Sequence, residues 1–78
     1  MKLSYFPDTD TLYIDLIDKP GADVTQVAED FVVDVNAEGV PVGIEIEHAS
    51  SKVDLSRLEV EGLRMSLDLE SPPKSRTG

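Results

Sequence analysis

The chain has 78 residues, a mass of 8.5 kDa and no cysteine, so it can bury about 62% of its unfolded surface in one small core, with no disulfide or thiolate metal cluster to reinforce it. Leu, Ile, Val and Phe make 23 of the 78 residues, above the roughly 20% below which a charged chain stays disordered, so a folded domain is expected, and one this small gains from burying a face against a second copy of itself. Residues 1–62 hold 14 Asp and Glu against Lys2, Lys19, Lys52 and Arg57; with no basic cluster to neutralise phosphates, direct nucleic-acid binding is disfavoured, while a basic protein or a cation fits.

Period-two alternation, the mark of half-buried strands, dominates the first 47 residues. Leu3 and Tyr5 share one side of a first strand, and Pro7-Asp8-Thr9-Asp10 supplies turn chemistry. In Thr11–Ile17 the residues Leu12, Ile14 and Leu16 oppose Tyr13, Asp15 and Ile17. Asp18-Lys19-Pro20-Gly21 ends that strand, with Gly21 suited to the positive φ of a type II turn. Residues 22–29 are weakly patterned and fit either a short edge strand or an irregular arm. Phe31, Val33 and Val35, then Val40, Val42, Ile44 and Ile46, line one face each of a hairpin whose turn, Asn36-Ala37-Glu38-Gly39, closes on a glycine in the left-handed region. Pro41 has no N–H and belongs near a strand start or on an edge.

After Glu47 the period changes. Asp54 suits an N-cap, and Leu55 and Leu58 at spacing three predict a short C-terminal helix lying as a lid over one sheet face. Residues 63–70 alternate Met65, Leu67 and Leu69 with Ser66, Asp68 and Glu70, which fits a further strand or a dimerisation arm; residues 71–78 form a polar, Pro-rich tail expected to be disordered. The expectation is a mainly β (α+β minor) architecture: a small antiparallel β-sheet of hairpins over residues 1–62 with one short helix, packing as a dimeric sandwich. Phe6, Tyr13, Ile17 and Val32 lie opposite the main apolar layer and are the candidate dimer or partner face. The N-terminus has no apolar run of signal-peptide length and no stretch approaches about 18 apolar residues. A cytoplasmic protein without membrane contact is expected.

The run Tyr5-x-x-Asp8-x-Asp10-x-Leu12-Tyr13-Ile14-x-Leu16, followed by Val32-x-Asp34-x-x-x-x-Gly39 and Val42-Gly43-Ile44-Glu45-Ile46-x-x-Ala49-Ser50, resembles the family known as domain of unknown function 2283 over about residues 1–58. The resemblance implies a small β-rich protein of bacterial type with no established activity. It also implies an antitoxin-like binder of a small basic, toxin-like protein, a role that suits the acidic body.

Two constellations could carry chemistry. Asp8 and Asp10, two residues apart in a turn, could hold Ca²⁺ or Mg²⁺ through oxygen ligands, but no third ligand and distal Glu follow, and Asp in a turn normally bonds its own backbone. Glu45 and Glu47 project from one side of a strand, where they could bind a cation or a partner's Arg; His48 would point the other way if the strand continued. Asp8, Asp10, Glu45 and Glu47 are therefore a candidate surface patch rather than a metal site. For a serine nucleophile only Ser4, Ser50 and Ser51 with His48 are at hand, none in a glycine-rich turn, and no phosphate cradle occurs. No catalytic residue and no cofactor is assigned. Tyr5 and Tyr13 fit core aromatics with hydroxyls at the rim. The leading expectation is a non-catalytic protein-binding module; the alternatives are a small-ligand or divalent-cation-binding domain and a structural accessory domain.

Overall fold

Asp10, Asp30 and Gly39 share a left-handed backbone, with φ of 54°, 70° and 81°, and each closes a turn between antiparallel strands. The structure, a computed structural model, describes residues 1–63. Five strands run β1 (Lys2–Phe6), β2 (Thr11–Asp15), β3 (Asp23–Ala28), β4 (Phe31–Val35) and β5 (Pro41–Ile46), followed by a single helical turn, α1 (Ala49–Lys52). They form one sheet in the order β1-β2-β5-β4-β3 with every pairing antiparallel. The mainly β expectation is thus met. The weakly patterned stretch resolves as the edge strand β3, whose six residues are all exposed.

Local chemistry explains the three hairpins. In the β4–β5 turn the Asn36 side chain accepts from the amides of Glu38 at 3.0 Å and Val40 at 2.9 Å, and Gly39 N–H closes the turn onto Asn36 C=O at 2.9 Å. Pro41 begins β5, where its missing N–H interrupts no ladder bond. The register between β4 and β5 slips there, Asp34 facing Gly43 while Val35 faces Pro41. Val42 is left over as a bulge, its carbonyl accepting from Leu16 N–H at 2.9 Å on the β2 side. A second slip occurs between Gln26 and Ala28 of β3.

Two expectations are corrected. The helix comes at Ala49–Lys52, directly after β5, and not after Asp54. Asp54 instead accepts from the amide and hydroxyl of Ser56, at 3.0 and 2.5 Å, a local Asx turn that satisfies its carboxylate without starting a helix; Leu58 is 68% exposed. Nor does Gly21 take a positive φ. A Cβ there would make only ordinary van der Waals contact, 3.6 Å from Asp34 Cβ and 3.8 Å from Val35 C=O. The expected strand or arm at 63–70 and the tail at 71–78 lie outside the described residues from position 64 onward.

Register sorts the side chains into two faces. Leu3, Tyr5, Leu12, Ile14, Phe31, Val33, Ile44 and Ile46 fall on one, the aliphatic face. Ser4, Phe6, Tyr13, Asp15, Val32, Asp34, Gly43 and Glu45 fall on the other, the acidic face. Gly43 separates β2 from β4 at the middle of the acidic face and so lets Tyr13 lie across it to donate its hydroxyl to Asp34. A Cβ at position 43 would stand 2.9 Å from Tyr13 Cζ and 3.4 Å from Ile14 C=O. This is an aromatic ring covering a strand glycine from the neighbouring strand. The hydrogen bond to the Asp34 carboxylate, then partial burial, push the Tyr13 phenol up from 10.0 to about 12.

Gly43→Ala should therefore displace the Tyr13 ring. In a Tyr5→Phe background, the remaining phenol is expected to titrate near its ordinary value instead of about 12, followed by phenolate absorbance, and stability should fall by about 1–3 kcal/mol. A phenol still titrating at the wild-type pH would show that the ring does not depend on the glycine.

Candidate functional site

The end of β5 carries the densest set of polar contacts among the described residues. β5 stops at Ile46, and the chain turns through His48, whose φ of 53° places it in the left-handed region. Such a backbone costs a β-carbon-bearing residue about 1–2 kcal/mol and is kept by the contacts around it. On one side Ala49 N–H donates to Asp10 C=O at 2.8 Å; on the other Glu47 N–H donates to Asp30 C=O at 2.8 Å. The residues before β2 and before β4 thus hold the turn after β5 from both flanks.

The two carboxylates complete this arrangement. Asp10 Oδ1 accepts from Tyr5 Oη at 2.7 Å and from Ser50 N–H at 3.1 Å, while Oδ2 accepts from Ser50 Oγ at 2.7 Å. The Ser50 hydroxyl, and next the Tyr5 hydroxyl, hold the Asp10 carboxyl below its ordinary value, and that same bond holds the Tyr5 phenol above its own. Asp30 Oδ1 lies 3.1 Å from His48 Nδ1 and its Oδ2 lies 3.5 Å from Lys52 Nζ. The His48 ring is 70% exposed, so that contact adds little stability by itself.

Beside this clamp a shallow groove of about 540 Å³ opens on the acidic face. Phe6 and Tyr13 supply its aromatic surface, Thr9 and Thr11 its hydroxyls, and Glu45, Glu47 and His48 its ionisable groups. Burial, then the neighbouring Glu47 carboxylate, push the Glu45 carboxyl above its ordinary value. A cationic side chain entering here would favour the charged form of Glu45 and meet Glu47 at the same time.

The candidate patch therefore divides. Glu45 and Glu47 meet in the groove, but Asp10 is spent on Ser50, 40 residues away, and on Tyr5 across the hairpin, rather than on its own turn as Asp in turns usually is. Asp8 does not line the groove. His48 joins Glu45 and Glu47 instead of pointing away, because β5 ends two residues before it. Of the candidate partner face, Phe6, Tyr13 and Val32 share the acidic face, Phe6 standing 52% exposed. Ile17 lies past the end of β2 and accepts from Lys19 N–H at 2.9 Å. Among the described residues no group of three or more His, Cys, Asp or Glu is placed to hold a metal ion, and no helix is long and apolar enough to cross a membrane. Asp30 was not singled out by sequence, and Asp34 only as part of the family motif. The signal for Asp30 is a pattern it shares with Asp10, since each stands immediately before a strand that flanks β5.

Antiparallel hairpins of this order, clamped by two aspartates around the turn after the central strand, define a small all-β domain with one helical turn. The family model for the protein of unknown function DUF2283 matches residues 2–50, which takes in all five strands and both clamp aspartates. The chain belongs to the DUF2283 family. Comparison with curated proteins and with solved structures finds no match.

Because Asp10 titrates below its ordinary value of 3.8, its contribution to stability is complete above the unfolded value and is lost as pH falls through the folded one. Asp10→Ala should lower the thermal midpoint at neutral pH and reduce the further drop on acidification, both read by circular dichroism. An unchanged acid-induced drop would show that Asp10 carries none of the pH dependence.

Proposed function

We propose that this chain is a non-catalytic protein-binding module whose acidic face takes a basic segment of another protein. The observation that carries the reading is the groove, in which exposed Phe6 and the Tyr13 ring stand beside Glu45 and Glu47. Aromatic surface next to carboxylates is the chemistry that receives Arg and Lys side chains, through cation–π contact and charge-assisted hydrogen bonds. Lys2 sits at the outer strand, opposite Asp15, and leaves the groove acidic.

A non-catalytic role is supported by the use made of the polar groups. Ser50 Oγ donates to Asp10 rather than pairing with His48 as a nucleophile would with its base. Family membership adds no activity to this, and the antitoxin-like partnership enters as a reading of the acidic surface: a small basic protein is the partner class that the charge favours. The excess of negative charge, −9 over the whole chain, should accelerate encounter with such a partner at low salt.

The test is affinity capture of the full chain's partners from native extract, with Glu45→Lys/Glu47→Lys as the paired control. A basic protein retained by wild type should bind the double variant at least about tenfold more weakly, with circular dichroism confirming an intact sheet. Equal retention by both forms would remove the groove from the interface.

A further inference from the structure

The apolar layer predicted from the alternation is in place but not enclosed. All five residues of β2 and all five of β4 are half-buried, those on the aliphatic face included. Were the aliphatic face packed inside a monomer, Leu12, Ile14, Phe31 and Val33 would be buried and their neighbours open. The buried apolar side chains among the described residues are only Val42, Ile46 and Ala49. Leu3 and Tyr5 on the same face remain 44% and 43% exposed, and the segment after α1 leaves Leu55, Leu58, Val60 and Leu63 open as well.

We infer that a second copy of this chain covers the aliphatic face, closing a two-sheet sandwich. Three arguments select this occupant. First, β1, β2, β4 and β5 place no charged residue on that face and the edge strand β3 adds only Asp23, opposite Val35, so the central strands of two copies related by a two-fold axis meet apolar against apolar, as an isologous interface requires. Second, the face is five strands wide, about 19 Å between outer strand axes at ~4.8 Å spacing. Residues 64–78 bring only Met65, Leu67 and Leu69 as aliphatic side chains, too few to cover it. Third, the opposite face cannot serve instead. There a two-fold contact would press Asp15, Asp34 and Glu45 of one copy toward their counterparts, with Lys2 as the one cation on the paired strands. This assignment reverses the face expected from sequence: Phe6, Tyr13 and Val32 stay free.

The full chain should sediment as a dimer, at twice the 8.5 kDa of one copy, at micromolar concentration. Leu3→Glu places a charge at an exposed strand position on the aliphatic face, where the single chain tolerates it. It should weaken the dimer by at least about tenfold while the far-ultraviolet spectrum stays β. Phe6→Glu, on the acidic face, should leave the dimer unchanged. A concentration-independent monomer would overturn the inference; protection of residues 64–70 from hydrogen exchange in that monomer would identify the tail as the cover instead. A dimer broken by Phe6→Glu and indifferent to Leu3→Glu would overturn it too, by assigning the other face.

Discussion

Everything at the functional end of the sheet depends on two carbonyls held in place by left-handed aspartates. Asp10 and Asp30 each finish a hairpin turn where glycine is the least strained residue, as Gly39 shows in the third hairpin. An aspartate in that position is strained unless its side chain recovers the cost. Here both do, Asp10 through Ser50 and Tyr5, Asp30 through His48 and Lys52. The strain and the contacts are linked: the left-handed turn lets carbonyl and carboxylate of the same residue reach the segment that leaves β5. The sheet can therefore end its central strand abruptly, turning through His48 and keeping Glu47 beside the groove.

How much of this could be read from the sequence follows from what is local and what is not. Alternation gave the faces of β1, β2, β4 and β5 because a strand's period is a property of consecutive residues, and the Asn36–Gly39 turn carries its whole hydrogen-bond set within five residues. The edge strand β3 was ambiguous since all of its residues are exposed, so no hydrophobic period marks it. The helix was placed too late for a related reason. Asp54 has the right chemistry for a cap, but a turn of four residues, Ala49–Lys52, has no room for an amphipathic repeat, and it is fixed by Asp10, some 40 positions earlier. Asp10 was legible as a turn residue but its partner was not.

The same division governs the acidic face. Gly43 looks unremarkable within Val42-Gly43-Ile44, yet it is the point where Tyr13 crosses from β2 to reach Asp34 on β4. No spacing rule connects positions 13, 34 and 43; sheet order does, by setting β5 between β2 and β4. Glu45 follows from that order as well. Its carboxyl is pushed up by burial and by Glu47, so a negative charge at the middle of that face is disfavoured, with ring surface on one side of it. Carboxylates in that state gain from a cation and lose from another anion, which is why one face suits a basic partner and disfavours a second copy.

Half-burial along β2 and β4 has a thermodynamic side. A sheet of this size that leaves its aliphatic layer partly wet keeps only part of the hydrophobic stabilisation its composition could supply, at about 25 cal/mol for each Å² of apolar surface left in water. Closing that layer by association makes stability depend on protein concentration through mass action. The acidic face pulls the other way, since its charges repel one another within a chain and across a dimer at low salt. A basic partner on the acidic face, as proposed, would neutralise that repulsion without touching the aliphatic layer. Ligands that bind only the folded sheet, one on each face, would each stabilise the state the other binds.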